Sequence, residues 1–334
     1  MNQLEFSFIV PVYNRPKEVK ELLQSFTELD SDLNYEIVII EDGSTVTSED
    51  IVNEFKSKLN ISYYFKPNSG PGDSRNYGMQ KAKGNYFIIL DSDVLLPSHY
   101  LTEVYNFLSN NYVHCFGGPD AAHTSFNNLQ KAINFAMTSF LTTGGIRGGQ
   151  RQVEDFQPRS FNMGLSKDAF LDTKGFSKIH PGEDPDLSLR LKAKGYKTAL
   201  IPNAYVYHKR RITWSKFFSQ VQKFGLARPI LNLWHPQSKS VVFWFPTIFM
   251  LGLVLSLILL LFGMPYPFWC YVVYFSLALV LATWNNKSLT VGFLAVIAVF
   301  VQFLGYGWGF LKSTVAISVL RKDPKKVFPG LFFK

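Results

Sequence analysis

The chain has 334 residues, of which 47% are hydrophobic, and its formal net charge is +9. Its two cysteines, Cys115 and Cys270, are too few and too far apart to indicate a disulfide framework or a zinc site. The basic balance is compatible with nucleic-acid binding, but no recognition motif accompanies it and many of the basic residues border apolar segments, so nucleic acid is not an expected partner.

The first part of the chain alternates predicted strands with predicted helices. Short apolar runs predict buried strands at residues 6–12, 36–40, 61–65 and 86–90. Apolar residues at helical spacing predict helices at residues 17–29, 48–59 and 73–83. This βαβαβαβ order predicts an α/β fold built on a mostly parallel, doubly wound sheet.

Several of these strands end in polar residues. Tyr13 and Asn14 follow the first strand, Asp42 follows the second, and Asp91-Ser92-Asp93 follows the fourth. The carboxyl ends of parallel strands share one edge of a sheet, where α/β folds bind ligands. Two carboxylates there suit a hard divalent cation, which in turn suits a diphosphate, so the pattern predicts a nucleotide cleft. Alternatively, the acidic pair only caps the next helix, which Pro97 and Ser98 introduce.

The last third of the chain is apolar. Three candidate membrane segments extend from Val241 to Phe262, from Phe268 to Trp284 and from Leu289 to Leu311. The alternative is the buried helical core of a soluble domain. Basic residues flank both ends of this region, which places both ends in the cytoplasm and requires an even number of crossings. The glycine-rich run 305–309 therefore predicts a break that makes the third segment re-entrant, or a surface helix from Lys312 to Leu320.

These patterns predict four regions. Residues 1–210 form a catalytic domain, 211–240 an amphipathic interfacial helix and linker, 241–320 the membrane region and 321–334 a basic cytoplasmic tail. Residues 1–5 are polar and the following apolar run is too short for a secretory signal, so we expect the catalytic domain in the cytoplasm and a multi-pass protein of the inner membrane.

Five motifs resemble those of family 2 glycosyltransferases with the GT-A fold, and they occur in the family's order. They are the strand Ser7 to Pro16, the strand Glu36 to Ser44 with its Asp-Gly-Ser turn, the loop and helix Asn68 to Gly78, Asp91-Ser92-Asp93, and the acidic run Gly182 to Leu191. Together they span residues 6 to about 228. The resemblance implies a GT-A nucleotide-diphospho-sugar transferase fold followed by transmembrane helices.

The resemblance also implies roles for the donor-side residues. Asp42 would accept a hydrogen bond from the nucleobase, beside Pro11, Val12 and Tyr13. Arg75 would lie near the base or the diphosphate, and Asp91, followed by Ser92, would face the ribose and the sugar. Asp93 would ligate Mg²⁺ or Mn²⁺. His208 would be a further metal or phosphate contact, or else a surface histidine before a basic run.

Asp184 is the predicted general base, because an inverting transfer needs a carboxylate that takes the proton from the acceptor hydroxyl. Its acidic neighbours Glu183 and Asp186 would raise its affinity for a proton. Alternatively, Glu183 and Asp184 only occupy the first turn of a helix, where the helix dipole favours them. Asn162 and Met163, with Glu183, are the predicted acceptor-side residues. The glycine-rich stretch 143–149 is predicted to be a lid or a plain surface loop.

These inferences predict an inverting glycosyltransferase that moves a sugar from a nucleotide sugar, with UDP the family's most common carrier, to a lipid-linked saccharide. An undecaprenyl-diphosphate saccharide in bacterial cell-envelope polysaccharide synthesis is the expected acceptor. The alternatives are a polyprenyl-phosphate glycosyltransferase, a metal-dependent nucleotidyltransferase, and a membrane scaffold without enzymatic activity.

Overall fold

A computed structural model describes residues 3–121, 126–144, 156–208 and 213–333. The chain forms two compact units. Unit 1 comprises Met1–His123, Ile146–Lys209 and Phe332–Lys334, and unit 2 comprises Thr124–Gly145 and Arg210–Leu331. Most of the predicted glycine-rich lid (residues 145–149) and the basic residues 209–211 lie outside the described residues.

The elements follow one another in this order. The first half contains β1 (Phe6–Val12), α1 (Pro16–Thr27), β2 (Tyr35–Asp42), α2 (Glu49–Phe55), β3 (Ile61–Lys66), α3 (Pro71–Lys81), β4 (Tyr86–Leu90), β5 (Val94–Leu95), α4 (Tyr100–Asn110), β6 (Cys115–Gly117), β7 (Asp120–Ala121), α5 (Asn128–Thr138) and α6 (Phe140–Thr143). The second half contains β8 (Asn162–Ser166), α7 (Lys167–Thr173), α8 (Glu183–Ala193), β9 (Thr198–Leu200), β10 (Val206–His208), α9 (Trp214–Trp234), α10 (Phe245–Leu261), α11 (Tyr266–Asn286), α12 (Leu289–Thr314) and α13 (Pro324–Val327).

Unit 1 is built on a seven-stranded sheet with the order β3-β2-β1-β4-β8-β6-β9. The four predicted strands β1 to β4 are parallel, as expected from the alternation of strands and helices. β8 is antiparallel to both of its neighbours, β4 and β6, so the complete sheet is mixed. A second, three-stranded sheet has the order β5-β10-β7 and places the end of β10 beside the residues that follow β4.

Both faces of the large sheet are covered, which explains why its strands are continuously apolar rather than alternating. On one face, Phe8 and Val10 of β1 join the core that contains Leu22 of α1. On the other face, Ile9 packs in the core that contains Met79 of α3 and Leu187 of α8. The strands are therefore fixed in register, and the polar residues that follow them are held at one edge.

Among the described residues, unit 2 contains three helices long and apolar enough to cross a membrane, Val241–Leu261, Tyr266–Asn286 and Leu289–Val319. Many of their large apolar side chains are exposed, including Ile248, Leu251 and Val280. A lipid bilayer is the solvent that suits such surfaces.

The predicted break at residues 305–309 is wrong, because α12 continues through all three glycines and passes into a π-helical turn at Val315–Val319. The glycines instead allow α9 to approach closely. A Cβ at Gly309 would lie 2.3 Å from the Gln222 carbonyl oxygen, and one at Gly225 would lie 2.2 Å from the Tyr306 carbonyl oxygen. Small residues at a helix interface serve this purpose in membrane proteins generally.

Candidate active site

Three side chains that could hold a metal ion meet at the edge of the large sheet. Asp91 and Asp93 follow β4, and His208 ends β10, where it is paired with Val94 of β5. This pairing brings the Nε2 atom of His208 to 3.1 Å from Oδ1 of Asp93. The ligand atoms of Asp91, Asp93 and His208 all lie within 4.8 Å of one another. Residues 115 positions apart thus form a single cluster.

The donor set of this cluster fits a divalent cation. Two carboxylates and an imidazole suit Mn²⁺, whereas Mg²⁺ prefers oxygen ligands and retained water. Burial alone would raise the pKa of Asp93, but His208 and Arg15, whose NH1 lies 2.8 Å from Oδ2, outweigh it and lower the pKa to about 2. Burial opposes the charged form of His208, yet Asp93 and Asp120 raise its pKa to about 10. A cation would therefore compete with a proton on His208.

Arg75 connects this cluster to the acidic motif on α8. One guanidinium nitrogen lies 2.8 Å from Oδ1 of Asp91, and another lies 3.0 Å from Oε1 of Glu183. The side chain is only 4% exposed, as is that of Glu183. Where the family resemblance placed Arg75 near the base or the diphosphate, the structure places it in a buried ion-pair network.

The adjacent carboxylates Glu183 and Asp184 differ in environment. Burial would raise the pKa of Glu183, but His180 and Arg75 outweigh it and lower the pKa to about 2, so Glu183 remains ionised. Burial also raises the pKa of Asp184; Arg159 opposes this shift and the charge of Glu183 adds to it. Two neighbouring carboxylates with opposite shifts are typical of a site in which one group holds structure and the other exchanges protons.

Within the described residues, the polar contacts of the Asp184 side chain are long. Its Oδ2 lies 3.4 Å from the Ser160 amide nitrogen and 3.9 Å from NH1 of Arg159, and the side chain is 18% exposed. The other acidic neighbour, Asp186, is held by Arg190 at 3.0 and 2.8 Å. Asp184 lies in the first turn of α8, so the dipole interpretation and a role in proton transfer are compatible.

On the donor side, Asp42 organises the loop before α3. Its carboxylate accepts hydrogen bonds from the Lys66 ammonium at 2.7 Å, the Ser69 amide at 3.0 Å and the Gly70 amide at 2.9 Å. Of its predicted neighbours, Tyr13 is exposed, Pro11 is half-buried and Val12 is buried, as is Ser92 after β4. Tyr13 therefore presents an exposed aromatic side chain at the end of β1.

Asn162 and Met163 lie inside unit 1. Oδ1 of Asn162 accepts a hydrogen bond from the Tyr100 hydroxyl at 2.6 Å, and its Nδ2 donates to the Ala204 carbonyl at 2.8 Å. Met163 belongs to the core beneath the sheet and is fully buried. Glu183 is buried as well, so direct contact of these three side chains with an acceptor stays a prediction.

Sequence reasoning missed several charged residues of the site. Arg15 pairs with Asp93, Arg159 lies beside Asp184, and Asp120 lies 3.8 Å from His208. Arg15 occurs within the first quoted motif, which was the available signal. Arg159 and Asp120 follow no recognisable pattern, because only the folded sheet brings them to the site.

The sequence model described as glycosyl transferase family 2 matches residues 7–170. An uncharacterised glycosyltransferase of Rickettsia conorii is 33% identical over 132 residues, which are 39% of this chain and 20% of that protein. The poly(ribitol-phosphate) beta-N-acetylglucosaminyltransferase TarS of Staphylococcus aureus is 32% identical over 112 residues, 33% of this chain and 20% of that protein. The chain thus matches about a fifth of the length of these relatives.

A solved structure supports the fold. The mannosyltransferase PcManGT of Pyrobaculum calidifontis, in complex with GDP-Man and Mn²⁺, superposes with a TM-score of 0.57 at 13% identity, covering 97% of this chain and 89% of its own. This similarity concerns the fold alone. It shows the GT-A fold, which apolar helices follow in this chain, and the family 2 glycosyltransferase model matches residues 7–170 of that fold.

Proposed function

We propose that the protein is an inverting, metal-dependent glycosyltransferase that moves a sugar from a nucleotide sugar to a membrane lipid-linked saccharide. The observation that carries this proposal is the Arg75 bridge. It joins Asp91 of the cation cluster to Glu183, which is adjacent to Asp184, whose contacts with Ser160 and Arg159 are long at 3.4 and 3.9 Å. The cation ligands and a carboxylate able to accept a proton are thereby held in one network.

In this mechanism Asp184 accepts the proton of the acceptor hydroxyl as the hydroxyl oxygen attacks the anomeric carbon. The new bond between that oxygen and the anomeric carbon forms on the face opposite the diphosphate, whose bond to the carbon breaks, so the configuration inverts. Asp91, Asp93 and His208 would hold the divalent cation, which when bound offsets the negative charge of the departing nucleoside diphosphate.

The donor class is supported by the relatives. TarS is named for transfer of N-acetylglucosamine, and the similarly folded mannosyltransferase was solved with GDP-Man and Mn²⁺. A UDP-sugar is the first donor to test, with Mn²⁺ as the first cation because the cluster includes an imidazole.

The acceptor class rests on the apolar helices of unit 2. A catalytic unit on the same chain as three helices that could cross a membrane stays at the bilayer, which raises its effective concentration toward a lipid-borne acceptor. We place the protein in the inner membrane as a multi-pass protein with a cytoplasmic catalytic unit. The relatives named for poly(ribitol-phosphate) glycosylation support a role in cell-envelope polysaccharide synthesis.

The test uses the full chain, purified in detergent, with a panel of nucleotide sugars and Mn²⁺. A bound donor should raise the thermal unfolding temperature, and the selected donor should then label an undecaprenyl-diphosphate saccharide with release of nucleoside diphosphate. Transfer to polyprenyl phosphate alone would instead support the lipid-phosphate alternative. Release of pyrophosphate would identify a nucleotidyltransferase, and binding of no donor would remove the proposal.

A further inference from the structure

A short segment that follows the apolar helices belongs to the unit that contains the candidate active site. Phe332 and Phe333, which we call the return segment, are part of unit 1 although the preceding residues 210–331 belong to unit 2. The Phe333 amide donates a hydrogen bond to the Lys178 carbonyl at 3.1 Å, and Phe332 forms an antiparallel bridge with Ile179. The return segment therefore pairs with residues 178 and 179, which lie in the stretch of chain that leads into α8.

The ring of Phe333 covers Gly70 at the start of α3. Gly70 has a φ of +94°, and a Cβ built there would lie 2.3 Å from Cδ2 of Phe333. Its amide is one of the three groups that hold the Asp42 carboxylate, at 2.9 Å. Only glycine permits both this backbone conformation and the close approach of the ring.

The same ring also approaches the acidic side of the site. The ring centres of Phe333 and His180 are 6.0 Å apart. Nδ1 of His180 lies 2.9 Å from Oε1 of Glu183, which also binds Arg75. Phe333 therefore touches the two loops that lead to the predicted nucleotide side and to the predicted proton-transfer side.

We propose that Phe333 is a positioning residue for donor binding. The ring holds the Gly70 turn and the His180 loop at a fixed spacing, so that Asp42 and Glu183 are arranged before the nucleotide sugar arrives. This inference rests on the proposed function, because it assigns Phe333 to the donor side of that site. It contacts no reacting atom, and its effect is expected in donor affinity rather than in the rate of the chemical step.

The first test compares Phe333→Ala with Phe333→Tyr, which keeps the ring, and with Tyr105→Ala on the exposed face of α4 as control. We expect Phe333→Ala to raise the donor KM about tenfold with kcat within about twofold, while the other two variants stay near wild type. Unchanged donor KM, or an equal loss in the ring-keeping variant, would overturn the proposal. A fall in kcat alone would do so as well.

The second test locks the return segment in place. Cα atoms of an antiparallel bridge are about 4.5–5.5 Å apart, within the range for a disulfide, so Ile179→Cys with Phe332→Cys should form one. A Cys270→Ser background removes the exposed cysteine, and Cys115 is buried. We expect the oxidised protein to keep the wild-type donor KM. Failure to cross-link, or loss of donor binding on cross-linking, would contradict a positioning role.

The outcomes separate this inference from the proposed function. If wild-type protein binds a donor and Phe333→Ala binds it equally well, only the inference fails. If wild-type protein binds no nucleotide sugar, the proposed function fails and takes the inference with it.

Discussion

The substitution Asp184→Asn tests the assignment of the general base. The amide has the shape of the carboxylate and keeps an oxygen for the Ser160 amide, which lies 3.4 Å away. It cannot take a proton from the acceptor. Because the ion pair that Asp184 forms within the described residues, with Arg159, is long at 3.9 Å, the substitution should leave the unfolding temperature and the donor KM close to wild type.

The expected effect falls on kcat. General bases contribute about 10²–10⁴-fold, which corresponds to about 3–5 kcal/mol of barrier height. The acid limb of the kcat profile supplies a second readout. Burial raises the pKa of Asp184 from its ordinary value, so wild-type activity should fall with decreasing pH at a higher pH than an exposed aspartate would cause. The variant should lack this limb.

The matched control is Asp186→Asn, two residues further along α8. Its carboxylate is held by Arg190 at 3.0 and 2.8 Å, so the substitution should lower the unfolding temperature while kcat per folded molecule stays within a few-fold. The assay is steady-state release of nucleoside diphosphate with saturating donor and acceptor. If Asp184→Asn keeps kcat within threefold of wild type, or if the control loses as much kcat, the assignment of Asp184 is wrong.

Three further predictions follow from the same contacts. The pKa of Glu183 in the folded protein, about 2, is below its unfolded value. The ionised Glu183 should therefore stabilise the folded protein fully above roughly pH 4.3, and this stabilisation should be lost as the pH falls toward 2. In thermal unfolding, Glu183→Gln should flatten this pH dependence. Gly309→Ala should destabilise unit 2, because the new Cβ would collide with the Gln222 carbonyl. Gly330→Ala should not, because a Cβ there would meet no atom within 4 Å, and thermal unfolding in detergent compares the two variants. Since β1 and Phe333 both lie in unit 1, reporters fused before residue 1 and after residue 334 should be found on the same side of the membrane, which requires that only two of the three apolar helices cross it; opposite sides would contradict the docking of Phe333.

Much of the fold could be predicted because local patterns and tertiary structure agree. β1 and β4 have the predicted bounds, since both are short apolar runs that are buried on both faces and end in polar residues. The antiparallel strand β8 had no such signal. Its sequence, Asn-Met-Gly-Leu-Ser, is neither alternating nor strongly apolar, and its place between β4 and β6 depends on long-range pairing.

In the apolar region, composition indicated the helices but not their partners. The run 305–309 contains three glycines, which local propensity treats as a break. In α12 their missing side chains admit α9 instead, so tertiary packing outweighs the propensity. Nothing in the sequence indicated that Thr124–Gly145 joins the apolar helices in unit 2.

In the candidate active site, too, motifs indicated some residues, whereas tertiary packing decides their partners. Asp93 and His208 were the predicted metal ligands and Asp91 was expected to face the ribose and the sugar, and the pairing of β10 with β5 brings all three together. Arg75 was predicted to contact the donor, and in the structure it forms ion pairs with Asp91 and Glu183. The sequence gives the charge of such a residue, but which buried carboxylate it pairs with is decided by side-chain packing across elements that are 108 residues apart.

The central claim is that Asp91 and Asp93, together with the distant His208, bind one divalent cation. Titration of the purified protein with Mn²⁺, followed by electron paramagnetic resonance of the free ion, tests it most directly. The account predicts about one Mn²⁺ per chain, bound more weakly at low pH, with a loss of at least tenfold in affinity for Asp93→Asn and for His208→Ala. Mn²⁺ binding that is unchanged in both variants would contradict it.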